Sequence, residues 1–134
     1  MFVEGLNHAN LRVKDPDATF AFFADVLGMT VRRSGPGGIG GGGMLLDAND
    51  RDILHVGRAD SYYPTDDWRQ FDPQGKGGPV HHVALSCKGY DEVRGRLDAL
   101  GIAYRKSGIR AIGLRQLFVV EPGGVLVELN FRQQ

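Results

Sequence analysis

The chain has 134 residues, 42% of them hydrophobic and 24% charged, and its 16 basic and 16 acidic side chains cancel to zero net charge. That is the length and balance of one globular domain, with no charge excess to draw it to nucleic acid or an anionic membrane. The apolar runs are too short to span a bilayer, no secretory signal is expected at the N-terminus, and the single cysteine, Cys87, excludes an internal disulfide or a multi-cysteine zinc site.

Asn7–Val13 is β-prone and reads as a strand. Asp15-Pro16-Asp17 then opens a helix, with Asp15 as the cap and proline in the first turn. Ala18, Phe22 and Val26 recur at helical spacing, and Gly28 ends the run. Short strands follow, with the glycine tract Gly35–Gly43 between two of them. The tract lacks the Gly-Lys-Ser/Thr ending of a phosphate loop and no helix follows it, so it reads as a hairpin loop. Ile53–Val56 is the last strand before residues 59–78, a connection that holds Tyr62, Tyr63, Trp68 and Phe71. A connection this long and aromatic either folds over a pocket as a lid or packs on the surface.

Val80–Cys87 is the next strand. Asp91 caps a second helix with Val93, Leu97 and Leu100 as its apolar stripe, and Gly101 stops it. Three strands complete the chain, at roughly Ala103–Gly108, Arg115–Val120 and Val125–Phe131, with a turn at Glu121-Pro122-Gly123-Gly124.

The second half repeats the first. His8-Ala-Asn-Leu-Arg-Val-Lys lies over His82-Val-Ala-Leu-Ser-Cys-Lys at an offset of 74, and Leu54-His55-Val56 lies over Val127-Glu128-Leu129 at 73. Each half reads as strand, helix and three strands. The expected fold is therefore α+β, one domain built from two tandem βαβββ modules, at about 1–58 and 79–134 with 59–78 between them.

Strand alternation sorts the histidines. His8 shares a face with Asn10 and Arg12, opposite Leu11 and Val13. His82 takes the place of His8 and shares its face with Ala84 and Ser86. Its neighbour His81 falls with Val83, Leu85 and Cys87, towards the helix-packed side. In the last strand of each module, His55 and Glu128 alternate with apolar neighbours at equivalent places. An acid between Val127 and Leu129 is costly unless paired or metal-bound. Four such residues brought around a pseudo-two-fold axis would make a divalent-metal site. Packing alone explains one strand histidine more readily than four equivalent positions.

At these residues the sequence resembles the vicinal oxygen chelate superfamily, which includes glyoxalase I, extradiol dioxygenases, fosfomycin-resistance enzymes, methylmalonyl-CoA epimerase and bleomycin-resistance proteins. The marks are LNHANLRVKDPDATFAFFADVLGM in the first half, and HHVALSC and LFVVEPGGVLVELNF in the second. The resemblance implies a cupped mixed sheet around a metal, with His8, His82 and Glu128 as ligands. His81 does not match the motif. His55 corresponds to a fourth ligand, usually glutamate, in glyoxalase-I-like members, and otherwise lines the pocket.

The resemblance also implies an enzyme acting on a small substrate that chelates the metal through vicinal oxygens. Three ligands suit Fe2+ and a dioxygenase; four suit Ni2+, Zn2+, Co2+ or Mn2+ and a glyoxalase-type lyase or isomerase. In the dioxygenase reading Tyr104 is a candidate acid or base and no accompanying histidine can be assigned. In the glyoxalase reading the first-module glutamate is missing. Arg115-Gln116-Leu117-Phe118 stands where a fosfomycin-type transferase carries Ser-Phe-Tyr-Phe. Arg110, Arg115, Gln116 and Trp68 are candidates for substrate binding. A cytoplasmic homodimer is expected, with modules paired within a chain or between chains. The contrasting class is a metal-free binding protein of the bleomycin-resistance type, in which the same polar residues line a pocket.

Overall fold

A computed structural model describes residues 2, 4–34, 41–62, 65–68 and 80–132. The first half runs β1 (Ala9–Val13), α1 (Pro16–Leu27), β2 (Thr30–Arg33), β3 (Gly43–Leu46) and β4 (Asp52–Arg58). The second runs β5 (Val83–Cys87), α2 (Tyr90–Ala99), β6 (Tyr104–Ile109), β7 (Leu114–Val120) and β8 (Leu126–Arg132), with a short 3-10 turn at Arg110–Ile112 between β6 and β7. Each half forms a four-stranded mixed sheet, in the orders β1-β4-β3-β2 and β5-β8-β7-β6. The first and last strands of each half pair in parallel and the remaining pairs are antiparallel. This is the α+β fold of two βαβββ units that the repeat implied.

Local chemistry sets the first helix where the sequence puts it. The Asp15 carboxylate accepts the Ala18 N–H at 3.2 Å, and proline occupies the first turn. Gly28, at φ 67°, takes the left-handed conformation that closes the helix, and its N–H donates to the Ala24 carbonyl at 3.0 Å. The second helix is closed as expected by Gly101, at φ 67°, but departs from expectation at its start and in its stripe. Gly89 is its cap, at φ 78°, with no side chain bonded to the free N–H groups, and Asp91 sits inside the first turn. The left-handed turn at Gly89 brings the chain into the helix before Asp91 is reached, where its charge still favours the helix N-terminus. Leu100 follows the last helical residue and is exposed, so the apolar stripe reduces to Val93 and Leu97.

The glycine tract and the connection lie largely outside the described residues. Of the tract, only Gly41 to Gly43 is described, and Gly43 opens β3. Tyr63 and Phe71, and with them the choice between lid and surface packing, also fall outside.

One core serves both halves. Leu11, Val13, Phe20, Phe23, Val26, Leu54 and Val56 from the first join Val93, Leu97, Leu117, Val119, Val127, Leu129 and Phe131 from the second in a single cluster. The helix-covered sides of the two sheets therefore pack towards each other, and α1 touches α2. A polar clamp crosses the same seam. Glu121, 1% exposed, sits in the turn before β8 and accepts the Thr19 hydroxyl of α1 at 2.7 Å. Its carboxylate also accepts the N–H groups of Gly123 at 2.7 Å and Val125 at 3.0 Å. Glycine is required at 123 because a Cβ there would overlap both Val13 and the Glu121 carboxylate.

Cys87 lies on the core side of β5 and burial pushes its thiol up from 9.0 to about 11. The thiolate is the reactive form, so at pH 8 its fraction falls about a hundredfold below that of an unperturbed thiol. Iodoacetamide labelling followed by mass should be slower in the native protein than in urea by that order. Equal rates would mean that the thiol is not shielded.

Candidate metal centre

The site residues come from the sheet faces turned away from the core. In the first sheet the parallel register pairs Asn10 with His55 and Leu11 with Val56. Leu11 and Val56 are buried, so alternation turns Asn10 and His55 to the other side. His8, just before β1, joins them: its ring stacks on that of His55 with centroids 3.7 Å apart and planes 16° from parallel. In the second sheet Ala84 pairs with Glu128, and Glu128 with Phe118. His82, just before β5, brings Nε2 to 3.8 Å from Glu128 Oε2. The two pairs are thus repeat images of each other, as the alignment required.

Each imidazole is oriented by a neighbour. His8 Nδ1 donates to Asn7 Oδ1 at 2.6 Å, which leaves its Nε2 lone pair available. His55 Nε2 donates to Asp52 Oδ2 at 3.1 Å, which leaves Nδ1 available. That hydrogen bond also holds the Asp52 carboxyl below its ordinary range. His82 Nδ1 lies 2.9 Å from His81 Nδ1, and its Nε2 is the nitrogen facing Glu128. His81 is exposed rather than buried under the helices, and its contact is with its neighbour. Glu128 is half-buried and accepts amide hydrogens from Gln116 at 3.1 Å and Asn130 at 3.0 Å. One ring nitrogen tied down and the other presented is the arrangement of metal-binding histidines. The donor types suit a divalent transition metal.

Within the chain the two pairs remain separate. Among the described residues no three His, Cys, Asp or Glu side chains form one metal-sized group. The reason is the shared core: with the helix-covered sides packed together, the faces carrying the pairs lie on the outside of both sheets.

The other predicted site residues divide. Gln116 lies on the Glu128 face and also donates to Asn130 at 2.9 Å. Arg115, one residue away, points to the helix side, where its guanidinium lies 3.5 Å from the centre of the Tyr90 ring. Tyr104 pairs with the buried Val119 and so shares the core side, and its hydroxyl donates to Asp98 at 2.8 Å. That bond raises the Tyr104 hydroxyl above its ordinary range. Neither Arg115 nor Tyr104 is brought to the face of Glu128, because both fall on the opposite alternation of their strands. Arg110 sits at the tip of the β6–β7 hairpin, and Trp68 is exposed in a turn closed by its N–H to the Thr65 carbonyl. Asn130, Asn7 and Asp52 were missed by the sequence reading. The signal for Asn130 was present, since it lies two residues from Glu128 on the same strand face.

A family model, the Glyoxalase/Bleomycin resistance protein/Dioxygenase superfamily, matches residues 5–129. The chain belongs to this superfamily. No protein of curated function matches it in sequence. Among solved structures, this superfamily chain is similar to a glyoxalase/dioxygenase from Nostoc punctiforme, with a TM-score of 0.72 at 17% identity over 99% of this chain and 94% of that one. It is similar to lactoylglutathione lyase from Agrobacterium tumefaciens, with a TM-score of 0.64 at 21% identity over 98% and 96%. It is also similar to the fosfomycin resistance protein FosX from Listeria monocytogenes, with a TM-score of 0.65 at 20% identity over 98% and 96%. At these identities the likeness is one of fold. Among the described residues no helix is long and apolar enough to cross a membrane.

Proposed function

We propose that this superfamily chain is a divalent-metal-dependent enzyme of the glyoxalase type, a lyase or isomerase acting on a small substrate that presents vicinal oxygens. The observation that carries the reading is the pairing of His8 with His55 and of His82 with Glu128 at repeat-equivalent places. His55 lies against His8, and on that proximity we read it as a fourth donor that would turn to share the ion. A metal bound there would act as a Lewis acid that stabilises negative charge developing on substrate oxygens. Four protein donors leave a six-coordinate ion room for a chelating substrate, which favours rearrangement over oxygenation. Gln116 and Asn130 hold the Glu128 carboxylate in place, and Asn7 and Asp52 fix which nitrogen His8 and His55 present. Because the two pairs lie apart within one chain, we place the complete centre in a homodimer, the first sheet of one copy facing the second sheet of its partner.

Elemental analysis of untagged protein purified without oxygen tests the reading. The parent should carry near-stoichiometric nickel, zinc, cobalt or manganese. Glu128→Ala and His55→Ala should lose it, and His81→Ala should keep it. Iron retained in His55→Ala would instead support the three-ligand oxygenase. A parent that holds no metal and takes up none on soaking would leave the metal-free binding protein.

A further inference from the structure

We infer that the substrate of this site is a small amphiphilic acid whose carboxylate is held by Arg105, an inference that rests on the metal-centre reading above. The register across the second sheet runs Ala84, Glu128, Phe118, Arg105, each residue opposite the next on the face turned from the core. Two strand spacings separate Arg105 from Glu128, about 10 Å between backbones. Phe118 occupies the interval. With Arg105, Val120 and Leu126 it lines an open concavity of about 820 Å³ that wraps the β6 edge to Tyr104 and Lys106, and Glu128 is the next residue across the sheet from Phe118. A molecule with its oxygens at Glu128 would cross Phe118 to reach the Arg105 cation at the rim of that concavity.

Arg105 is available for this role. Among the described residues its guanidinium has neither a hydrogen bond nor an ion pair, whereas Arg33, Arg51, Arg58 and Arg96 are each bound to a carboxylate. The repeat doubles the arrangement: Arg32 lies across Met44 from His55 in the first sheet. A guanidinium two strands out from a metal donor, beyond an apolar residue, occurs in both halves. An arginine presents the planar fork that a carboxylate matches, and Phe118 excludes water from one side of the contact.

The test compares 3,4-dihydroxyphenylacetate with its neutral amide, which keeps the vicinal oxygens, ring and length and loses only the charge. Calorimetric titration is run on protein stripped with EDTA and on protein loaded with manganese. The acid should bind the parent about tenfold tighter than the amide in both states, the strength of one charge-assisted contact. Arg105→Met should abolish the preference and leave amide affinity unchanged, and Arg105→Lys should retain part of it. Equal affinities in the parent, a preference that survives Arg105→Met, or no binding of either ligand would overturn the proposal. Metal that tightens neither ligand would overturn the chelation reading alone, since the acid-to-amide ratio reports on Arg105 in both states.

Discussion

Two doubly substituted chains, each unable to hold metal by itself, should regain about a quarter of the parent's metal when mixed and allowed to exchange subunits. One chain carries His8→Ala with His55→Ala, and the other carries His82→Ala with Glu128→Ala. If a complete centre takes its first pair from one copy and its second pair from the other, each mixed dimer holds one intact centre and one with all four donors removed. Random exchange makes half of the dimers mixed, and half of their centres intact, hence the quarter. A centre built within one chain gives no recovery at any ratio. The expectation follows from the shared core, which turns both donor faces outward. Metal content after co-expression and dialysis reads the result, and recovery at background level would sink the shared centre.

Glu121→Ala should cost about 3–5 kcal/mol of stability, a large part of what holds a domain of this size together. The carboxylate accepts three hydrogen bonds, from the Thr19 hydroxyl and from the N–H groups of Gly123 and Val125. Its removal strands the Thr19 hydroxyl in the core, deprives the part-buried Gly123 and Val125 N–H groups of their acceptor and leaves a void beside Val13. Glu121→Gln should cost less, about 1–2 kcal/mol, because one oxygen remains while the new amide faces a donor. Urea unfolding followed by circular dichroism measures both. A Glu121→Ala midpoint within about 0.5 kcal/mol of the parent, the level of ordinary surface changes, would show that the clamp does not hold the two halves together.

The fold was legible because each unit states its pattern twice. The first helix is written out by Asp15, Pro16 and Gly28, and the structure uses all three. Alternation placed His8 and His55 opposite Leu11 and Val56 without any coordinates. Asp91 misled because an acid before an apolar stripe looks the same as a cap or as a first-turn residue; the glycine ahead of it decided. Arg115 and Tyr104 fall on the other side of the sheet from Glu128 for another reason. Their chemistry suited a site, but a one-residue step along a strand reverses the face, and strand starts are where a one-residue error arises most easily. The clamp at Glu121 was invisible beyond its turn, since its partner Thr19 lies across the other unit and nothing local connects them. The outward placement of the donor pairs was equally hidden, because it depends on which faces of two separate sheets meet.

That arrangement separates what keeps the chain folded from what it can recognise. The core is made by the helices and the sheet sides they cover, while Met44, Ala84, Phe118 and Arg105 stand on the outer faces and add little cohesion. Exchanges at those positions can reshape the cup for a longer, bulkier or oppositely charged molecule while the fold stays intact. On the proposed reading, a lineage built on this plan can diversify by drift on one surface, with the His8–His55 and His82–Glu128 pairs as the fixed points.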